Sequence, residues 1–189
     1  SLTGCVSNST ETSDDDPARV IAVESASANS DDPEIAFDAE VMSPQMDGAN
    51  PPQVRTTVTN QSDRDVLFEG GNHRVFGVTL SENNEGLWFI PGGSKDSGTR
   101  TDEGCWMIEP PVDRVQVLRH TLVNSGASES INSAIYGYTK TFAMNCPEKE
   151  TYRFTQPHTM VEWNSASEDR PRKELGEVVL RFAVAVTSR

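Results

Sequence analysis

Apolar and polar residues alternate along several segments from residue 35 onward, as expected of β-strands that bury one face. Residues 35–41 follow this pattern, and the last segment repeats it with apolar residues at Val178, Leu180, Phe182, Val184 and Val186. Residues 53–59 are rich in β-branched side chains and follow two prolines. β-Branched residues favour strands, whereas proline is confined to their edges and ends. The pattern therefore predicts strands through most of the chain.

Short polar segments separate the predicted strands and indicate turns. Residues 60–63, 81–86 and 124–126 consist mostly of Asn, Ser, Asp, Glu and Gly, which are typical turn residues. We expect 81–86 and 124–126 to close hairpins, and 60–63 to join strand 53–59 to a partner strand at 65–69. Convincing helical periodicity is absent from the sequence. About eight or nine short strands with turns between them predict an antiparallel, immunoglobulin-like β-sandwich.

The N-terminal part of the chain has a different composition. Residues 6–16 and most of 22–32 are rich in Ser, Thr, Asn, Asp and Glu. Such segments bury too little apolar area to offset the entropy lost on ordering. We therefore predict a disordered tether over residues 1–32, with a short ordered piece at 19–23, followed by a β-sandwich domain over residues 33–189.

The charge of the chain limits its partners. Its 189 residues include 29 acidic and 16 basic ones, which gives a formal net charge of −13. A surface this acidic repels phosphates and anionic lipids, so we expect no nucleic-acid partner. Only four of the basic residues are lysines. This combination favours a halophilic protein, because concentrated salt screens repulsion over a few ångströms; an ordinary acidic secreted protein is the alternative.

Two of the three cysteines border predicted strands. Cys105 and Cys146 lie 41 positions apart, and we predict a disulfide between them. In the chain-entropy model such a bridge contributes about 4 kcal/mol of stability. Two free buried thiols are the alternative, and they fit an intracellular protein better.

The third cysteine stands close to the beginning of the sequence. Leu2-Thr3-Gly4-Cys5 resembles the lipobox of prokaryotic lipoproteins, in which small residues precede the cysteine that receives the lipid. We expect lipidation of Cys5, with the tether holding the sandwich clear of a membrane and the lipid as the only membrane contact. An unmodified Cys5 in a disordered terminus is the alternative.

Spaced glycines, aromatic residues and cysteines support a wider resemblance. They occur in Phe76-Gly77, Gly86-Leu87-Trp88, Gly104-Cys105-Trp106, Cys146-Pro147 and Tyr152-Arg153-Phe154. Over residues 54–154 this pattern resembles a group of uncharacterised haloarchaeal cell-surface lipoproteins with an Ig-like domain. The resemblance implies the fold and a place at the extracellular face of an archaeal cell membrane, and it implies no catalytic residues.

Motifs for catalysis or metal binding are not found in the sequence. The histidines, His73, His120 and His158, are dispersed, whereas a zinc site needs three or four converging ligands. Residues 91–95 end in Ser-Lys but lack the spacing of a phosphate-binding loop. We therefore expect no enzymatic activity, no metal and no cofactor.

Two sequons predict N-glycosylation in exposed segments. They are Asn8-Ser9-Thr10 in the expected tether and Asn60-Gln61-Ser62 in an expected turn.

The combined features predict a binding or structural module with a protein partner at the cell surface, in a surface layer or filament. We expect the contacts on loops 91–104 and 164–174, because loops vary without disturbing a sandwich. The alternative is a secreted proteinase-inhibitor-like or small-ligand-binding sandwich. Trp88, Trp106 and Tyr136 around an open pocket would favour the alternative, whereas their burial in the core would favour a structural role.

Overall fold

A computed structural model describes seven parts of the chain, namely residues 19–30, 34–69, 76–82, 86–108, 120–138, 145–163 and 173–189. Nearly all of their regular structure is β-strand, with one short 3₁₀ helix at Lys95–Ser97. The strands form two sheets that pack against each other around a shared apolar core. This arrangement confirms the predicted all-β sandwich.

Twelve strands lie within the described residues. They are β1 (Arg19–Ser30), β2 (Ile35–Ser43), β3 (Gln53–Asn60), β4 (Val66–Glu69), β5 (Thr79–Leu80), β6 (Gly86–Pro91), β7 (Thr99–Arg100), β8 (Trp106–Met107), β9 (Thr121–Val123), β10 (Ser128–Tyr138), β11 (Thr151–Glu162) and β12 (Lys173–Ser188).

The strand order is that of an immunoglobulin-like sandwich with additional edges. Sheet 1 has the order β1-β12-β11-β4-β9, and sheet 2 has the order β2-β3-β10-β6-β5. Strands β2-β3-β10-β6 correspond to the A-B-E-D sheet of immunoglobulin domains, and β4-β11-β12 correspond to C-F-G. The ladders of both main paths are antiparallel, while β8 joins β10 in parallel at Met107 and Gly137.

Two predicted hairpins are wrong, and one is confirmed. The turn at 60–65 connects β3 of sheet 2 to β4 of sheet 1, and the turn at 124–127 connects β9 of sheet 1 to β10 of sheet 2. Both are corners that cross the sandwich, and corners use the same turn residues as hairpins. The third prediction is correct, since β5 pairs with β6 through Thr79–Phe89 and Leu80–Trp88.

The domain begins earlier than the sequence predicts. Arg19–Ser30 forms β1, which pairs with β12 from Arg19–Ser188 to Ser30–Val178. Ile21 is only 3% exposed and belongs to the main core. The predicted boundary at residue 32 is therefore too late, because the neighbouring strand orders a polar segment that has little apolar surface of its own. Residues 1–18 lie outside the described part.

Aromatic rings fill the centre of the sandwich. Phe76 lies against Phe37, Phe89 and Phe182, at ring-centroid distances of 5.3, 5.4 and 4.8 Å. It is fully buried although its φ of 59° is in the left-handed region, where a bulky residue is strained. The favourable packing of the ring offsets this local cost.

The strand directions give the sandwich two distinct ends. At one end β1 begins at Arg19, beside the end of β12 at Ser188; we call this end the base. At the opposite end, β1 and β3 finish at Ser30 and Asn60; we call it the far end. The corners at 60–65 and 124–127 both lie at the far end.

Candidate functional site

The aromatic residues that could have lined a pocket are buried. Trp88 is 3% exposed, Trp106 is 6% exposed and Tyr136 is fully buried. Trp106, Tyr136 and Ala134 form a small second cluster, on the face of β10 opposite to Ile135 in the main core. This placement favours the structural interpretation of these residues over a ligand pocket.

Residues 91–108 contribute Trp106 to the second cluster and cover its other members, and we call this segment the flap. The Tyr136 Oη donates a hydrogen bond to the Ser94 carbonyl at 2.6 Å, and burial raises the Tyr136 pKa. The Trp106 Nε1 donates to the Gly48 carbonyl at 2.9 Å. The flap is therefore attached at both ends by buried aromatic side chains, and the predicted contact loop 91–104 belongs to this packed segment.

Further contacts hold the middle of the flap. Cys105 and Cys146 form a disulfide with a Cα–Cα distance of 5.5 Å, which confirms the predicted bridge. The Arg100 guanidinium donates from Nη2 to the Asp47 carbonyl at 2.9 Å. Gly98 lies so close to β8 and β10 that a Cβ there would meet the Met107 carbonyl oxygen at 2.6 Å. These contacts hold the flap against the sheet, while residues 94–97, 99 and 100 remain exposed.

A second buried tyrosine marks the immunoglobulin-like topology. Tyr152, near the start of β11, is 1% exposed, and its Oη donates to the Glu148 carbonyl at 3.0 Å, four residues upstream. This arrangement is the tyrosine corner of immunoglobulin-like domains. Burial raises the Tyr152 pKa, and the negative charges of Glu150 and Glu148 raise it further.

Four segments meet at the far end and form what we call the far-end platform, made of residues 34, 60–65, 123–127 and 163. Asn60 lies at its centre and is fully buried. Its Nδ2 donates to the carbonyls of Arg64 and Val123 at 2.7 and 2.9 Å. Its Oδ1 accepts hydrogen bonds from the backbone N–H and the hydroxyl of Ser62. One side chain thus joins the two sheet-crossing corners.

Backbone groups complete the far-end platform. The Ser125 N–H donates to the Asp65 Oδ1 at 2.8 Å, and the Trp163 N–H donates to the Asp65 carbonyl at 2.9 Å. The Gln61 N–H donates to the Glu34 carbonyl at 2.7 Å. Gln61, Glu34 and Ser125 are exposed, so the far-end platform presents polar groups to solvent on a backbone fixed from several directions.

The structure does not accommodate the predicted glycan on Asn60. Both hydrogens of its Nδ2 are donated to buried or partly buried carbonyls, and the side chain has no exposed surface. A glycan on this nitrogen replaces one of its two hydrogens, so one of the two hydrogen bonds must break and the corner must open to admit the sugar. The other sequon residue, Asn8, lies outside the described residues, as does the lipidation candidate Cys5.

The remaining candidates are spread over the molecule. His158 is 2% exposed and packs edge-on against Phe68, whereas His120 is exposed. His73 and most of the predicted contact loop 164–174 lie outside the described residues. Within the described ranges, no three His, Cys, Asp or Glu side chains are grouped as metal ligands. The same ranges contain no helix long and apolar enough to span a membrane.

The fold defines the class of this chain as a disulfide-bonded, immunoglobulin-like β-sandwich. Comparisons with models of protein families, with curated proteins and with solved structures find no match. The resemblance to haloarchaeal lipoproteins therefore stays a prediction.

The sequence of the far-end platform contains typical turn residues. Composition alone does not show whether such a turn closes a hairpin or crosses between the two sheets. Asn60 and Ser62 stand two residues apart, a spacing at which an Asn side chain can bond the backbone ahead of it. Their burial and their bonds to Val123 depend on the crossing of the sheets, which a local pattern does not reveal.

Proposed function

We propose that the chain is a non-catalytic binding module, held at the extracellular face of an archaeal cell membrane by a lipid on Cys5. In this proposal the far-end platform faces a protein partner in a surface layer or filament. The observation that carries the proposal is that the chain enters the sandwich at one end and the far-end platform lies at the other. The chain enters at the base through Arg19, and the far-end platform lies at the opposite end of the strands.

The length of the connection supports this orientation. Fourteen residue steps separate Cys5 from Arg19, and at roughly 3.3–3.6 Å per step they span at most about 50 Å. A relaxed flexible connection of this length has an end-to-end distance of about 20 Å. The base would therefore stay near the bilayer, while the far-end platform projects away from it.

Two further features agree with a place outside the cell. The Cys105–Cys146 disulfide is typical of oxidising compartments. The net charge of −13 suits the concentrated salt around a halophilic cell, because screening there removes most of the repulsion between carboxylates.

The anchor can be tested by intact mass and fractionation. We expect detergent extracts of native membranes to yield a chain that begins at Cys5 and carries a lipid-sized mass increment. Replacing Cys5→Ser should move the protein from the membrane to the soluble fraction, whereas Ser7→Ala, two residues away, should leave it in the membrane. A wild-type chain without a lipid increment would refute the anchor.

The orientation can be tested by site-specific photo-crosslinking on intact cells. A crosslinker at Asp63, exposed on the far-end platform, should capture a surface protein. A crosslinker at Asn50, which is also exposed but lies near the base, serves as the matched control. Capture from Asn50 and not from Asp63 would contradict the proposed direction.

A further inference from the structure

The long edge strand β1 is unusual among the edges of the two sheets. It has twelve residues, whereas the opposite edge of sheet 1, β9, has three, and the β5 edge of sheet 2 has two. Beside β1, the Ile21 N–H donates to the Pro44 carbonyl, and the Met46 N–H donates to the Arg19 carbonyl. These bonds cover β1 only near the base, and from residue 22 to residue 29 the outer backbone edge has no partner within the described residues.

Residues 25–29, which make up most of the uncovered part of β1, lack the usual protection of an edge. Natural sheets protect exposed edges with charged residues, proline, bulges or short strands. The other long edge, β2, has the exposed charges Asp38 and Glu40. By contrast, residues 25–30 of β1 read Ser-Ala-Ser-Ala-Asn-Ser, without a charge or a proline, in a chain whose residues are 24% charged. The single bulge lies before this segment, at Val23–Ser25.

The side chains of β1 match those of a second copy running in the opposite direction. Ala26 and Ala28 are half-buried and pack against the main core, whereas Ser25, Ser27 and Asn29 are exposed on the other face. An antiparallel pair centred on Ser27 places Ala26 opposite Ala28 of the second copy, and Ser25 opposite its Asn29. Apolar side chains then face apolar ones, and polar side chains face polar ones.

The charges also fit this pairing. Glu24 is the only charged residue of β1 apart from Arg19, and pairing centred on Ser27 places it opposite the neutral Ser30 of the second copy. Like charges directly opposite each other destabilise strand pairs, and this arrangement avoids them.

We propose that β1 is a self-association site, at which two copies of this chain pair edge to edge through residues 25–29 and join their five-stranded sheets. The backbone N–H and C=O groups of this segment that point away from β12 supply the hydrogen bonds of this β-strand addition. The pairing places the two bases at opposite ends of the dimer. Under the tethered arrangement proposed above, the two copies would therefore be anchored in facing membranes.

Cysteine crosslinking tests both the pairing and its register. We would use the full chain with Cys5→Ser, in concentrated salt, so that the result does not depend on lipidation. In the proposed register Ser27 faces itself across the two-fold axis, at the Cα separation of about 4.5–5.5 Å found in antiparallel pairs, which suits a disulfide. Ser27→Cys should therefore form a covalent dimer under mild oxidation.

Ser25→Cys is the matched control on the same face of the same strand. Its symmetry mate lies four residues away along the strand, about 13 Å, so this variant should stay monomeric. Equal crosslinking of the two variants would mean random collision, and crosslinking of Ser25→Cys alone would mean a different register; either result overturns the proposal.

Sedimentation equilibrium over a range of protein concentrations provides a second measurement. The parent chain should show a monomer–dimer equilibrium that Ser27→Lys abolishes, since it places two lysines opposite each other. Ser130→Lys, at an exposed position on β10 of the other sheet, should leave the equilibrium unchanged. A parent chain that stays monomeric at every concentration refutes self-association. If Ser27→Lys then abolishes binding of a different surface protein, the edge of β1 binds that protein and not a second copy, and the proposal is still refuted.

Discussion

Removing the Cys105–Cys146 disulfide should lower the free energy of unfolding without displacing the flap. The suitable variant combines Cys105→Ala with Cys146→Ser, because Cys105 is 2% exposed and Cys146 is half-buried. The bridge joins residues separated by 41 positions. In the chain-entropy model, releasing a loop of this size gives the unfolded chain about 13 cal/mol/K of entropy, which corresponds to about 4 kcal/mol at room temperature.

The structure indicates that most of this loss comes from the unfolded state. In the folded variant the flap keeps the hydrogen bonds from Tyr136 to Ser94 and from Trp106 to Gly48. Trp88 and Trp106 should therefore stay buried, and the native emission spectrum should match that of the oxidised wild type. A loss of about 4 kcal/mol is a large fraction of the roughly 5–15 kcal/mol that stabilises a typical domain.

Urea unfolding at constant salt, followed by circular dichroism and tryptophan fluorescence, measures the effect. With a typical dependence of about 2 kcal/mol per molar urea, the midpoint should fall by about 2 M. Wild-type protein treated with reductant should match the variant, while Cys5→Ser should match oxidised wild type. A loss below about 1 kcal/mol would refute the entropic argument. A red-shifted native spectrum would show instead that the bridge holds the flap in place.

Three other substitutions test separate parts of the core. Tyr152→Phe removes the bond to the Glu148 carbonyl and should cost about 1 kcal/mol at neutral pH. Because burial holds the pKa values of Tyr152 and Tyr136 above that of an unfolded tyrosine, wild-type stability should be complete below about pH 10 and fall as the pH rises further. Urea titrations at several alkaline pH values should show a shallower fall in Tyr152→Phe. Thr56→Val removes a buried hydroxyl that has no hydrogen-bond partner among the described residues and should raise the unfolding free energy by about 1 kcal/mol, whereas Thr57→Val loses the hydroxyl bond to Ser130 and should show no such gain. Phe76→Ala leaves a cavity among three aromatic rings and should cost about 3–5 kcal/mol in the same urea assay; a cost near zero would contradict the role given to this ring in the core.

The sequence predicts a strand most clearly where its apolar residues recur at every second position and all of them are buried. In β12, large apolar residues recur at a period of two from Val178 to Val186, and all five belong to the main core, so the pattern alone identifies the strand. By contrast, β1 consists largely of Ser, Ala and Asn after residue 24, and it is ordered by its pairing with β12. The sequence of β1 alone therefore does not reveal that β12 is available to pair with it.

The candidate site was less predictable for a similar reason. Asn60 occurs in a turn-like sequence, yet it is buried because Val123 and Arg64 supply carbonyls from two separate corners. The flap has the polar, glycine-rich composition of a loop, but Trp106 and Tyr136 attach it to the sheet and to Gly48. In both cases, residues far apart in sequence supply the contacts that hold a polar segment in place.

The pairing of β1 with β12 also determines how the domain would respond to mechanical force. A pull between an anchored N-terminus and a partner at the far end acts along β1, starting at Arg19 at the base. The eleven residue pairs between β1 and β12 are joined by hydrogen bonds perpendicular to the strands, so this pull shears them together instead of peeling them apart one by one. A shared shear load resists rupture much better than sequential peeling, and the first strand of the domain would therefore act as its mechanical clamp.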